Sequence, residues 1–343
     1  MAIDMFQTRT MLDMVKGAEF APTSFLRDRY FGNVKTFDTN KVDVDIVDRA
    51  GRKLAPFVNP KIGGQVIERS GYRTHTYEAP EVSPYMVTTA EDLLKRLPGE
   101  ALYSSVTPEQ RAAEKLGEDL RELDEIITRR EEAMCAEALF AGHVSVKGKG
   151  YDEVVSFWDA DESAKPMTEV TTKWNAAGAD ILADLRSIRR AVIQQSGITP
   201  TEVICSADVI DAILANEKVA EQLNTRRAEL GQIKIDQLPN GVTYYGNLGG
   251  LDIYGYDSWY VDGEEEKPFV PAGLALMGSP AVKTTMAYGC CGVYGEGLAL
   301  YAEKRVPSSW TQEMNPAGRI VQVKSRPLPI VHQVGGFHVI KAI

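Results

Sequence analysis

Between Thr107 and Gly142, apolar residues recur at helical spacing: Leu116, Leu120, Leu123, Ile127, Met134 and Ala138 stand three, four or seven positions apart. Thr107 suits an N-cap, Pro108 the first helical position and Gly142 the stop. The pattern predicts a helix of about 30 residues, roughly 45 Å long at 1.5 Å per residue. That is long for a compact globule. Ten carboxylates face five bases between residues 108 and 142, so this helix must be solvated or paired with neighbours, and inter-chain ion pairs are the expectation. Gly117 is a mild defect inside it.

Elsewhere the period is two. Val42, Val44 and Ile46 alternate with Lys41, Asp43 and Asp45, and Tyr72, Thr74 and Thr76 alternate with Arg73, His75 and Tyr77. Pro56, Pro60, Gly63, Gly64 and Gly71 punctuate the stretch between them. Residues 36–90 therefore read as an extended β-ribbon with a turn at 50–52 and a bend or tip at 56–64. A two-stranded ribbon is marginal alone in water, and no helix follows closely enough to cover it, so another copy of the chain is one candidate support.

Before the ribbon, Met5, Met11, Leu12 and Val15 mark a short amphipathic helix, followed by the aromatic-rich link PTSFLRDRYF. Residues 1–35 read either as an N-terminal arm or as a helix docked on its own domain. After the long helix, HVSVKGKGYDEVVSFW (143–158) reads as a hairpin, and polar residues 159–178 as a boundary. From 179 an α/β rhythm begins: helix 179–195, strand 201–206, helix 207–216, helix 217–230. The last third is mainly strands.

Composition changes little. The 343 residues are 44% hydrophobic and 25% charged, as in ordinary globular proteins, and suffice for two domains or one elaborate one. No apolar run approaches the roughly 18–20 residues that cross a bilayer, and the N-terminus lacks a basic segment leading into an apolar one. Cys135, Cys205, Cys290 and Cys291 lack metal-ligand spacing and read as reduced thiols in a cytosolic setting. The net charge of −10 argues against a protein that binds nucleic acid by neutralising phosphates.

Catalytic signals are weak. The four histidines (His75, His143, His332, His338) form no HxxxH, HExxH or HxH motif. YGCCGVYGEG (288–297) is glycine-rich but leads into a strand, whereas a phosphate cradle needs a helix N-terminus behind it. Cys290 and Cys291 have no base close in sequence and read as small core residues. EEEK (264–267) reads as a hairpin tip. Tyr244, Tyr245, Tyr254, Tyr256, Trp259 and Tyr260 could stack bases, but their alternation suits a packed sheet better. The expectation is no catalytic residue, no cofactor and no metal.

The order of parts, with FLRDRYF (25–31), LAPFVNPKIGGQVIERSG (54–71), VSPYMVTTAEDLLKRLPGE (82–100), LNTRRAEL (223–230), FVPAGLALMG (269–278), YGC (288–290), EKRVPSSW (303–310) and VQVKSRPLPIV (321–331), resembles the lambda-type major capsid protein E family of tailed bacteriophages. The similarity covers nearly the whole chain. It implies the α+β tailed-bacteriophage and herpesvirus capsid fold, with an N-terminal arm (1–35), an extended β-loop (36–90), a peripheral domain with spine helix and hairpin (91–178), an axial domain (179–296) and C-terminal strands returning to the periphery (297–343).

By that resemblance the chain is a structural protein of the virion and, during assembly, of the host cytoplasm. It would form hexamers and pentamers of an icosahedral shell around double-stranded DNA, bound without sequence specificity and without a membrane. Because the arm starts almost at Met1, the resemblance implies a separately encoded scaffolding protein, together with a portal protein and a decoration protein. A Lys-to-Asn cross-link, found in some relatives, is not assigned, although Lys61 and Asn59 lie near the loop bend. Expected contacts between subunits are Phe25, Leu26, Phe57, Pro60, Ile62, Val66, Ile67, Tyr72, Tyr77, Arg129 and Arg130. The alternatives are an encapsulin-like nanocompartment shell and a cytosolic α/β enzyme using Cys290.

Overall fold

The computed structural model describes residues 6–17, 24–39, 41–47, 57, 72–95, 107–148, 150–158, 165–220, 236–238, 240–294, 298–314 and 317–343. The long helix runs Pro108–Phe140, or about 50 Å. The Thr107 side chain accepts from the Gln110 N–H while the Gln110 side chain accepts from the Thr107 N–H, a reciprocal cap. Gly142 closes it at φ +69°, where a Cβ would lie 1.9 Å from the Trp158 ring. Only glycine fits there.

One apolar stripe of the helix serves two cores. Leu116, Leu120, Leu123 and Ile127 pack with Met11, Val321 and Val323, whereas Ala133, Met134, Cys135, Ala136, Leu139 and Phe140 join a larger cluster with Leu26, Phe31, Met286 and Leu328. Met11, on the Thr8–Gly17 helix, is fully buried. That helix docks on its own chain.

A seven-stranded mixed sheet forms the second layer, in the order Met167–Glu169, His338–Lys341, Leu274–Gly278, Glu202–Cys205, Leu251–Tyr256, Val242–Leu248, Asp236–Leu238. Its central strands are covered on both faces. Val203, Cys205, Ala275, Met277, Ile253 and Ile340 face the Ile181–Ser196 and Ala207–Ala215 helices, while Ile204, Leu276, Tyr256 and Val339 face the long-helix side. Two-sided burial explains the consecutive apolar residues of Val203–Cys205 and Ala275–Met277. The sheet draws strands from outside 179–296. The Val306–Gln312, Gly318–Lys324 and Pro327–Val331 strands stay on the long-helix side, and the chain then crosses back as His338–Lys341 beside Leu274–Gly278.

Among the described residues, four two-stranded pieces project from this body, the fourth being the Trp259–Asp262 and Glu265–Pro268 hairpin. The Lys41–Val47 and Tyr72–Glu78 strands pair antiparallel from Lys41↔Glu78 to Val47↔Tyr72. Another copy is one candidate support for the ribbon; its base rests on its own chain. Val42 is buried, the Tyr77 hydroxyl donates to the Ser156 carbonyl at 2.8 Å, and the Tyr77 ring meets Phe157 edge-on. The His143–Gly148 and Tyr151–Ser156 strands form the hairpin beneath it. The third is the Cys291–Tyr294 and Leu298–Tyr301 hairpin. The helix anticipated over 217–230 is described only to Ala220.

The two glycines of the long helix test this description with opposite signs. A Cβ at Gly117 meets nothing within 4 Å, so Gly117→Ala is expected to stabilise by about 1 kcal/mol. Gly142→Ala is expected to cost more than the roughly 1–2 kcal/mol of a left-handed backbone alone, because the Trp158 ring must also move. Denaturant unfolding of unassembled protein measures both.

Candidate assembly surfaces and the buried hub

The apolar stripe of the long helix skips from Ile127 to Met134, and the position it skips carries Glu131. Both Glu131 and Glu132 are fully buried. Neither is solvated and neither waits for a neighbouring chain, which corrects the expectation that the helix spends its acidic side chains between subunits. The partners come from distant parts of the same chain.

Glu132 caps the short Leu26–Tyr30 helix. Its carboxylate accepts from the backbone N–H groups of Phe25, Leu26 and Arg27 at 2.9, 2.7 and 2.9 Å, and from the Tyr256 hydroxyl at 3.0 Å. A carboxylate at a helix N-terminus satisfies donors that have no intrahelical partner. Burial nevertheless outweighs these bonds and raises its pKa above the ordinary carboxylate value.

Glu131 is clamped by two guanidiniums: Arg27 Nη1 at 2.7 Å, and Arg305 through Nη1 at 2.6 Å and Nη2 at 3.1 Å. Arg305 also donates from Nε to Asp124 at 2.6 Å and from Nη2 to Thr128 at 3.2 Å. Burial alone would push the Glu131 carboxyl up, but the charges of Arg305 and Arg27 together hold it below its ordinary value. On the opposite side of the short helix, Arg29 grips the buried Glu202 at the start of a central sheet strand, at 2.8 and 2.9 Å from Nε, and stacks over Tyr254 at 4.6 Å. FLRDRYF is therefore a hub joining helix, sheet and C-terminal strands.

This location overturns two expected contact residues. Leu26 is fully buried in its own core, and Phe25 is half-buried between Tyr254 and Tyr256, with ring centroids 5.9 and 5.5 Å away. Arg129 pairs with Glu125 at 3.2 Å and Arg130 with Asp262 at 3.1 Å, both within the chain and both partly open to solvent. Tyr77 serves the ribbon's base. Phe57 is fully exposed. The side chain of Tyr72, and Pro60, Ile62, Val66 and Ile67, lie outside the described residues, as do Lys61, Asn59 and LNTRRAEL.

Exposed large apolar side chains that the sequence reading missed include Tyr294, Leu298 and Leu300 on one hairpin, Trp259 and Val261 on the Trp259–Asp262 strand, and Tyr85 and Val87 on Tyr85–Thr88. Strand alternation in VYGEGLALY carries the first signal; which face lies outward depends on the rest of the fold.

Cys135, Cys205 and Cys291 are buried, and Cys290 is half-buried. Burial pushes the Cys291 thiol up to about 11, away from the nucleophilic thiolate. Burial pushes the His338 imidazole down to about 4, and its Nε2 lies 2.8 Å from the Thr168 hydroxyl. His332 Nε2 lies 2.9 Å from the Thr285 hydroxyl. Among the described residues, no group of three or more His, Cys, Asp or Glu could hold a metal ion, and no helix is long and apolar enough to cross a membrane.

The hub is testable. Glu131→Gln leaves Arg27 and Arg305 without their shared counter-charge and is expected to destabilise the unassembled protein by about 3–5 kcal/mol at neutral pH. Because Glu131 has a lowered pKa, its contribution is full above the ordinary value of 4.5 and is lost as pH falls through the lowered one. Denaturant midpoints of variant and parent, measured across pH, should therefore converge only in acid.

A model of phage major capsid protein E matches residues 7–341. The chain is 24% identical over 313 residues to the major capsid protein of Escherichia phage lambda, covering 90% of each chain, and 22% identical over 308 residues to that of Escherichia phage N15, covering 88% and 89%. In structure it is similar to a chain assigned as the capsid protein of a prophage of E. coli CFT073, with a TM-score of 0.69, 19% identity and coverage of 98% and 99%. It is also similar to the mature capsid of bacteriophage PhiM1, with a TM-score of 0.50, 11% identity and coverage of 94% and 88%. A mixed-sheet body braced by one long helix, with a projecting ribbon, is the tailed-phage capsid fold, and with a match that runs nearly end to end the chain belongs to the phage major capsid protein E family.

Proposed function

We propose that this chain, a major capsid protein of a tailed phage or prophage, closes its shell through many individually weak contacts made by parts that leave a rigid body. The ribbon carries this reading. Its two strands pair as far as Val47↔Tyr72, and Phe57, in the segment joining them, is fully exposed. An aromatic side chain exposed in this way gains burial only against another surface, and in a shell that surface is the adjacent subunit. Weak contacts let misplaced subunits leave, while multivalency holds the closed shell.

In this reading the subunits form hexamers and pentamers, a separate scaffolding protein guides them, and a portal and a decoration protein join the shell. Assembly takes place in the host cytoplasm. The shell encloses double-stranded DNA without gripping it, in keeping with a net charge of −10. The protein acts as structure and not as an enzyme, in keeping with its membership of a capsid protein family.

Replacing residues 48–71 by an Asn-Gly turn joins Val47 to Tyr72 as a two-residue hairpin and leaves the described strands intact. The parent protein is expected to form particles by light scattering and negative-stain microscopy. The shortened chain is expected to stay folded, with an unchanged unfolding midpoint, yet to form no closed shells. Shells of normal size from the shortened chain would remove the ribbon from assembly.

A further inference from the structure

The Trp259–Asp262 and Glu265–Pro268 hairpin sorts its charges by face. Pairing Tyr260 with Lys267 and Asp262 with Glu265 sets these residues on one face. There Tyr260 packs on Phe269 at 5.0 Å, Asp262 meets Arg130 at 3.1 Å, and Lys267 meets Asp262 at 3.5 Å and Glu265 at 3.1 Å. The opposite face pairs Trp259 with Pro268 and Val261 with Glu266, and Trp259 and Val261 are exposed by 54 and 64%. The charged residue of this face is Glu266, with Glu264 in the adjoining turn and Asp257 accepting from the Trp259 indole N–H at 3.0 Å. Among the described residues, none of these carboxylates has a cationic partner.

The segment that joins the two ribbon strands has the opposite charge balance. Arg49, Arg52, Lys53, Lys61 and Arg69 stand against Asp48 and Glu68, in a chain whose net charge is −10. The same segment is rich in apolar residues, and its Phe57 is fully exposed. Residues 48–71 are fixed at Val47↔Tyr72 and reach at most about 40 Å beyond that pair, at roughly 3.3 Å per residue out and back. That is enough to cross much of a neighbouring body. Glu114, Glu118 and Glu122 of the long helix are exposed as well, but Arg111, Lys115 and Arg121 are interleaved with them, so that surface is closer to neutral.

We propose that residues 48–71 of one copy dock on the Trp259, Val261 and Glu266 face of a second copy, bases against carboxylates and Phe57 against the apolar patch. The inference rests on the shell-forming reading and names the surface that the ribbon meets. Segment and hairpin are different parts of the chain, so the contact runs head to tail and repeats around a ring. Exposed ion pairs contribute little singly, but they select the partner and its register.

Two full-length variants carry the test: Arg52→Glu with Lys53→Glu in the segment, and Glu264→Lys with Glu266→Lys in the hairpin. Each is expected to lower particle yield by light scattering at least about tenfold, the effect of roughly 1.4 kcal/mol. The chain carrying all four substitutions is expected to recover its yield, which also shows that both reversals fold. Photo-crosslinking of particles formed by the Phe57→p-benzoylphenylalanine variant is expected to give chain dimers joined through peptide 257–268. Normal assembly of either reversal, no recovery in the fourfold variant, or crosslinks within single chains or to another surface overturns this contact while leaving the shell reading intact. If the parent protein forms no particles under the same conditions, the shell reading fails and takes this contact with it.

Discussion

Two adjacent carboxylates buried in the middle of a long helix are costly unless each is given partners, and the remainder of the protomer is arranged around supplying them. Glu132 is met by the N-terminus of a short helix more than 100 residues upstream, and Glu131 by Arg27 from that helix and by Arg305 from 174 residues downstream. Arg29 on the same short helix then reaches the sheet at Glu202. Helix, sheet and C-terminal strands are thus tied through one five-residue element. Removing Arg29, for one, takes from the buried Glu202 the guanidinium that pairs with it.

Such a hub suits a subunit that must keep its shape while its surroundings change. The apolar cores supply the burial, one on each side of the sheet and one under the N-terminal half of the long helix. They are non-directional and do not by themselves fix how the layers are oriented. The charged contacts do, because a guanidinium and a carboxylate hold each other at defined distance and angle. The ribbon and the outer hairpin lie outside this hub.

Much of this was legible in the sequence, for reasons that can be named. The long helix, its Thr107 cap and its Gly142 stop follow from local chemistry and spacing. The alternation of the two ribbon strands follows from periodicity. The capsid family followed from ordered segments spread over the whole chain. The hub did not, because its partners lie more than 100 residues apart and no local pattern joins them. Its trace was the gap in the apolar stripe at 131, filled by a carboxylate. Leu26 was misread as a contact residue for the same reason: an apolar residue beside arginines looks exposed until Glu131 and Glu202 are found to pair with those arginines. The outer hairpin escaped notice because alternation marks two faces without saying which one the fold leaves open.

Hydrogen exchange read by mass spectrometry on free and assembled protein compares the rigid hub with the adaptable projections directly. Peptides covering 24–33, 124–135 and 302–308 are expected to be protected equally in both states. Those covering the ribbon and the 259–268 hairpin are expected to gain protection only on assembly. Hub peptides that become protected only in the shell, or projections that exchange alike in both states, would contradict a preformed hub with assembly carried by the projecting parts.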